Sequence, residues 1–188
     1  SYALLGQDGQ VLLDTEAIKV GSSEADQSYF QVPLQDNTSY ISPIQINRDG
    51  IHVFYISAPI SGRFQGQVSG VLRVEYDADI FQALIEEQNN LIGQGSFAIL
   101  VDEENNFLAN GIAPEARFQA VSITEPGLIN HLQNEEPLFT YRREQQAYQV
   151  VKAELDRGWV LAFFQPEALF LSSARENRNL TLLLVGIS

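Results

Sequence analysis

The chain has 188 residues, enough for one or two domains that each bury a core, and its 45% apolar content is typical of globular proteins. It contains no cysteine, which excludes disulfides, thiolate nucleophiles and cysteine-ligated metals. The net charge is −13 and no basic cluster stands out, so we expect no nucleic-acid partner, because phosphate backbones would repel the chain.

The first half of the chain has the pattern of an antiparallel meander. Residues 1–15 predict a hairpin, because an Asp-Gly turn lies between two apolar runs and glycine accepts a positive φ. A short helix is predicted at residues 24–34, capped by Ser22 or Ser23. The turn residues beyond it predict three strands and one helix, at residues 38–46, 52–60, 68–77 and 78–92.

The second half repeats this plan after a break at Gly93-Gln94-Gly95. Its predicted strands lie at residues 96–102, 107–110, 137–143, 147–155 and 158–165, with short helical turns at 112–136. Pro166 is predicted to open a C-terminal helix, since its fixed φ suits a first helical turn.

One segment occurs twice along the chain. A glycine-initiated strand that runs into a helix lies at residues 70–81 and recurs at residues 158–170. Chance similarity between two antiparallel sheets is the alternative to a duplication. The predicted fold class is α+β, with two tandem modules that each contain a roughly five-stranded antiparallel sheet and flanking helices.

Residues 179–188 form an apolar run at the C-terminus. Its ten residues are about half of what crosses a bilayer, so a buried terminal helix is one interpretation. The other is the first half of a transmembrane helix, which we favour. We therefore expect the chain to be part of a longer membrane protein.

Four motifs of the first module point to a known family. They are D-x-S-Y-F-Q-x-x-L at residues 26–34, Y-I-S-P-I at 40–44, I-S-A-P-I at 56–60 and G-x-V-x-G-V-L-x-V-E-Y-x-x-x-x-F at 66–81. In this order they resemble the double Cache sensor domain, which is the extracytoplasmic module of bacterial chemoreceptors, sensor histidine kinases and diguanylate cyclases. The resemblance covers nearly the whole chain.

The resemblance implies two PAS-like modules with different positions in a receptor. Residues 1–92 would be the membrane-distal, ligand-binding module, residues 93–178 the membrane-proximal module, and residues 179–188 the start of a transmembrane helix. The sequence shows no counterpart of the long N-terminal helix of the family. Because that helix makes much of the family's dimer contact, we expect a homodimer only for the full-length receptor.

Alternation along the strands predicts two different faces for the first sheet. In strand 68–77, Leu72, Val74 and Tyr76 share an apolar face that we expect to form the core. The opposite, polar face is either solvated, as is common in antiparallel sheets, or covered by residues 16–36, as the resemblance implies. The predicted ligand-binding residues are Tyr29, Phe30, Tyr40, Ser42, Tyr55, Ser57, Arg73, Glu75 and Asp77.

These residue types suit a small polar organic ligand. The Arg73 guanidinium suits a carboxylate and Glu75 suits an ammonium group, unless the two only pair within the sheet. Family members that bind free amino acids carry an arginine and a tyrosine where this chain has Gln27 and Ile44. These departures argue against an amino-acid ligand of the usual kind.

No feature of the sequence predicts catalysis, a metal or a cofactor. His52 and His131 lack metal-ligand spacing, and no nucleophile-elbow pattern is present. In the second module the strand at 159–165 is apolar on both faces, so we expect no polar pocket there. Four polar residues of that module are expected at the surface: Tyr141, Arg143, Tyr148 and Lys152.

The resemblance therefore implies a periplasmic, small-molecule-sensing domain of a bacterial signal-transduction receptor. It would contact the membrane through its flanking helices and pass ligand binding on through its C-terminal helix. The alternative is a Cache-like structural or protein-interaction module that has no small-molecule ligand.

Overall fold

A computed structural model describes residues 1–62, 67–89 and 94–171. The chain divides into two compact units, Ser1–Ile80 and Phe81–Ser188. Each unit is built on one antiparallel sheet with short helices, which confirms the predicted α+β class.

The sheet of the first unit contains six strands among the described residues. They are β1 (Tyr2–Gly6), β2 (Val11–Asp14), β3 (Tyr40–Ile41), β4 (Gln45–Ile46), β5 (His52–Ser61) and β6 (Val68–Asp77). Their order is β2-β1-β6-β5-β3, and β4 also pairs with β5. A 3-10 turn at Ala17–Lys19 and helix α1 at Ser28–Asp36 lie between β2 and β3 in the chain.

The sheet of the second unit has the same topology. Its strands are β7 (Phe97–Val101), β8 (Phe107–Asn110), β9 (Leu138–Arg143), β10 (Gln146–Glu154) and β11 (Val160–Pro166), in the order β8-β7-β11-β10-β9. The second unit also contains most of α2 (Asp79–Asn89), together with α3 (Val121–Thr124) and α4 (Ile129–Gln133). The strands of the duplicated segment, β6 and β11, hold the same place in the two sheets.

Helix α2 groups with the second unit rather than with the first. The Phe81 ring packs edge-on against Trp159, with centroids 5.3 Å apart. The Gln82 side chain accepts the Asn110 N–H at 2.8 Å and donates to its carbonyl at 3.1 Å. The division at Ile80 therefore falls earlier than the boundary that the sequence suggests at residue 92, and residues 90–93 lie outside the described part.

Two predicted elements of the first unit differ in detail. The helix begins at Ser28 rather than at residue 24, because Gln27 has extended backbone angles and ends the preceding turn. The predicted strand 38–46 divides into β3 and β4 around Ser42 and Pro43. Proline has no N–H to donate to a strand ladder, and the Ser42 hydroxyl instead accepts the N–H of Tyr55 at 2.9 Å.

The C-terminal prediction is only partly described. Pro166 is the last residue of β11, and residues 167–171 that follow it are helical. Residues 179–188, the predicted start of a transmembrane helix, lie outside the described residues. Within the described ranges, no helix combines the length and apolar character that crossing a membrane requires.

The core of the first unit lies on the face that the sequence predicted to be polar. Its buried cluster comprises Ala3, Leu5, Val11, Tyr29, Phe30 and Val71. Val71 alternates with Leu72, which is 44% exposed, so the predicted apolar core face was wrong. Helix α1 covers the Val71 side of the sheet through Tyr29 and Phe30, and Arg73 is buried on that same side.

Candidate functional site

A pocket of about 550 Å³ lies in the first unit, on the side of the sheet that α1 covers. The segment from Glu16 to Tyr29 supplies one wall and the segment Gln45–Asp49 another. Tyr55 of β5 and Glu75 of β6 contribute from the sheet. The cavity is partly open to solvent, so a small molecule can enter it.

The register of the strands builds a row of side chains beneath this pocket. Ser57 on β5 pairs with Arg73, Arg73 pairs with Ala3, and Ala3 pairs with Asp14. Residues paired across neighbouring strands point to the same face of a sheet. Because Ala3 is small, the Arg73 side chain reaches past it, and its Nη2 lies 2.9 Å from Oδ2 of Asp14.

Arg73 is the centre of a buried ion cluster. Its side chain is 1% exposed, and three carboxylates surround it: Asp14, Glu24 at 3.1 Å and Glu75 at 3.4 Å. The guanidinium carbon also lies 5.9 Å and 5.5 Å from the ring centroids of Tyr29 and Tyr55. A buried cation needs this compensation, because an unpaired charge is strongly disfavoured away from water.

Glu75 and Lys19 extend the cluster from the sheet to the pocket wall. The Lys19 ammonium lies 2.9 Å from Glu16 and 3.1 Å from Glu75. Burial by itself raises the pKa of Glu75, but hydrogen bonds from Lys19 and Asn47 and the charges of Lys19 and Arg73 outweigh it, so that pKa lies below its usual range. Glu75 is therefore an anion at neutral pH.

Two tyrosines form the aromatic part of the pocket. The rings of Tyr29 and Tyr55 are tilted by 33° with centroids 4.3 Å apart, and both line the cavity. Burial, followed by the charge of Glu75, raises the pKa of Tyr55 to about 12. Burial, followed by the charge of Glu24, also raises the pKa of Tyr29. Both phenols therefore remain neutral donors.

The predicted site residues fall into three groups. Tyr29, Tyr55 and Glu75 line the pocket, and Arg73 lies beneath it in the ion cluster. Phe30, Tyr40, Ser42 and Ser57 belong to the covered face but are not in the lining. Asp77 is exposed, and its Oδ1 accepts the N–H of Asp79 at the start of α2.

Sequence reasoning missed the residues that β2 and the following segment supply. Asp14 and Glu24 bind Arg73, while Lys19 and Asn47 bind Glu75. A buried arginine on a covered sheet face requires acidic partners, which was the signal available in the sequence. Glu24 and Asp14 lie 49 and 59 residues from Arg73 in the chain, so local sequence patterns do not identify them as its partners.

A much smaller cavity lies in the second unit. The cavity between its sheet and α3–α4 region is about 10 Å³, which is close to the volume that one water requires. Tyr141 and Arg143 both bind Glu125, at 2.8 Å and 2.7 Å. Tyr141 and Tyr148 are buried core residues, so their expected surface position was wrong.

Comparison with known proteins gives no match to any family model or to any curated protein sequence. Solved structures do match. The sensory domain of the Campylobacter jejuni chemoreceptor Tlp3 superposes with a TM-score of 0.65 at 16% identity, over 89% of this chain and 67% of that one. The chain therefore has the same fold as this sensory domain.

Two further structures share this sensor-domain fold. An extracellular ligand-binding receptor from Desulfohalobium retbaense gives a TM-score of 0.64 at 11% identity, over 87% of this chain and 29% of that one. The ligand-binding domain of the Pseudomonas aeruginosa chemoreceptor PctC, solved with GABA, gives a TM-score of 0.60 at 14% identity, over 87% of this chain and 73% of that one. The resemblance to the double Cache fold is thereby confirmed, although the chain spans less than a third of the first of these proteins.

Proposed function

We propose that this chain is the extracytoplasmic, small-molecule-sensing part of a bacterial membrane receptor, and that the pocket beside α1 is its ligand site. The observation that carries the proposal is a cavity of about 550 Å³ between the sheet and the covering segment. Ligand pockets in proteins occupy about 300–1,000 Å³. The shared fold of receptor ectodomains, one of them solved with GABA, supports a small polar organic ligand.

The arrangement of the pocket suggests how binding would change the first unit. One wall is the segment from Glu16 to Tyr29, and the opposite wall is formed by β5 and β6. A ligand that contacts both walls stabilises the packing in which they are close. It can shift the receptor only by its difference in affinity between that packing and a more open one.

The signal would leave through the helical segment that follows Pro166. In a full-length receptor this segment would continue to the membrane, and a small displacement or rotation of it would carry the change. Chemoreceptor, histidine kinase and diguanylate cyclase outputs all fit this route. The full-length receptor is expected to act as a homodimer, as inferred from the family resemblance.

A binding screen with a matched pair of variants tests the proposal. The chain is screened by thermal shift against a library of amines, organic acids and amino acids, since a ligand that binds only the folded state raises the melting temperature. Gln27→Trp places a bulky ring in the pocket lining without removing a side-chain cap from α1. Gln35→Trp adds the same ring at an exposed position of α1 outside the lining.

The expected result is a hit that Gln27→Trp abolishes and Gln35→Trp retains. If both variants keep the shift, the ligand binds elsewhere and the pocket assignment is wrong. If no compound of a broad library binds, the sensing proposal fails, and the interaction-module alternative replaces it.

A further inference from the structure

The cation beneath the pocket has both of its terminal nitrogens committed to protein partners. Both terminal nitrogens of Arg73 are used twice: Nη2 by Asp14 and Glu24, and Nη1 by Glu75 and the Ser1 hydroxyl. Its Nε has no hydrogen-bond partner among the described residues but is buried away from solvent. A ligand carboxylate therefore gains no bidentate arginine contact here.

The second cation of the cluster is also committed. Lys19 binds Glu16 and Glu75, and these two carboxylates hold its pKa above the usual lysine range although burial alone lowers it. Arg48 is an exposed lining residue and has the exposed Asp49 as its neighbour in sequence. Lys19 is therefore paired, and the charge of Arg48 is offset by the opposite charge of Asp49 only in the sum over the lining.

The side chains that form the ion pairs of this cluster carry more negative than positive charge. Four carboxylates, Asp14, Glu16, Glu24 and Glu75, surround two cations, which leaves a net charge of −2. Such an excess in a partly desolvated cleft attracts cations and repels anions, because Coulomb interactions are stronger there than in water.

Two groups in the lining are suited to an ammonium ion. Glu24 uses Oε1 for Arg73, and its side chain, which is 14% exposed, lines the cavity. The negative charge of this carboxylate therefore acts on a ligand in the cavity. The rings of Tyr29 and Tyr55 lie next to it in the lining, and aromatic faces attract cations.

We infer that the pocket selects small organic cations, such as primary amines and diamines, and discriminates against ligands that need a carboxylate site. This inference rests on the proposed function and names the class of ligand for the same pocket. The ammonium group lies against Glu24 and the two tyrosines. The remainder of the ligand fills the cavity toward the segment Gln45–Asp49.

Matched compounds separate the charge of the ligand from its shape. Phenethylamine, 3-phenylpropanoate and phenylalanine share a phenyl group and differ in their ionic groups, while 1,4-diaminobutane and butanedioate share a four-carbon backbone. Binding is measured by calorimetry and thermal shift at pH 7. We expect the amines to bind at least about tenfold more tightly than the matched anions, and to weaken as salt increases.

Two substitutions with matched controls locate the effect. Glu24→Gln removes one negative charge from the lining and is expected to weaken amine binding about tenfold or more. Asp36→Asn, an exposed neutralisation at the end of α1, is the control. Gln27→Arg adds a cation to the lining without touching the buried cluster, and is expected to weaken amines and strengthen the anions. Gln35→Arg is its control.

The outcomes distinguish this inference from the proposed function. If 3-phenylpropanoate, butanedioate or phenylalanine binds while the amines do not, cation selectivity is overturned, yet the pocket remains a ligand site. Amine binding that is unchanged in both Glu24→Gln and Gln27→Arg also overturns it. If neither this panel nor the broad library binds, both proposals fail.

Discussion

Replacing Arg73 tests the buried ion cluster most directly. Arg73→Met keeps an unbranched side chain but removes the cation that faces Asp14, Glu24 and Glu75. Breaking a buried ion pair from one side costs about 3–5 kcal/mol, because a charge is left uncompensated. Since domains are stable by about 5–15 kcal/mol, the first unit should lose a large part of its free energy of unfolding at pH 7.

The loss should depend on pH in a defined direction. In the wild type, the lowered pKa of Glu75 contributes stability above the ordinary carboxylate range, and this is lost only in more acidic solution. In the variant, burial without a cation raises carboxylate pKa values above those of the unfolded chain. The variant's deficit should therefore shrink as pH falls from about 7 to 5.

Denaturant titrations at the two pH values provide the measurement. Circular dichroism follows both units, and Trp159, the single tryptophan, follows the second unit by fluorescence. Asp14→Asn added to Arg73→Met should recover part of the lost stability, because Asp14 has a fully buried side chain. A cost below about 1 kcal/mol at pH 7, without pH dependence, would mean that water screens the cluster and would refute this reasoning.

Three further substitutions should have specific effects. Gly70→Ala should destabilise the first unit by about 2 kcal/mol or more, because the added methyl overlaps the Leu5 carbonyl oxygen on the neighbouring strand. Lys19→Met should raise the pKa of Glu75, measured by carbon NMR titration, because it removes the hydrogen bond that most lowers that pKa. Tyr141→Phe should lower the stability of the second unit by about 1–2 kcal/mol, since the hydroxyl donates to Glu125 at 2.8 Å.

A specific outcome would contradict each of these three predictions. Ser69→Ala, at an exposed neighbour of Gly70, should cost less than about 1 kcal/mol, and an equal loss in both variants would contradict the steric explanation. An unchanged titration of Glu75 would mean that the lysine is solvated instead of paired. Equal melting temperatures for Tyr141→Phe and wild type would show that water replaces the hydroxyl bond.

The sequence predicted the fold well because its information is local. Apolar and charged residues alternate with period two along the second half of β6, β5 is rich in apolar residues, and turn residues separate the strands. The duplicated segment predicted two sheets of one design, and the shared strand order agrees with that. The division of β3 from β4 was missed although Pro43 is present in the sequence. Ser42 still pairs with Tyr55, since its N–H donates to the Tyr55 carbonyl and its hydroxyl accepts the Tyr55 N–H.

The assignment of sheet faces failed for a physical reason. The sequence placed Arg73 and Glu75 on a polar face, either solvated or covered by residues 16–36, and put the core on the opposite face, since charged residues are rarely fully buried unless paired. Here pairing occurs, because Asp14 and Glu24 reach the same point from distant parts of the chain. Alternation shows which residues share a face, but it does not show which face a helix covers.

Only part of the site was predicted, because alternation along the strands identifies residues that share a face but not the loops that cover it. Tyr29, Tyr55 and Glu75 line the pocket because they lie on the covered face near its open end. Lys19 ends a single 3-10 turn and Asn47 lies in a loop, and no periodicity in the sequence predicts the path of either segment. Their contribution emerges only when the loops are placed against the sheet.

The carboxylates around Arg73 have an evolutionary consequence. Glu24 and Glu75 anchor the strand framework and also face the cavity, so one substitution alters recognition and folding together. A lineage that changed its chemical preference by replacing either acid would also have to rebalance the arginine. Adaptation to a new signal would therefore proceed through Gln27 or Asn47, lining positions whose side chains make no contact with that guanidinium.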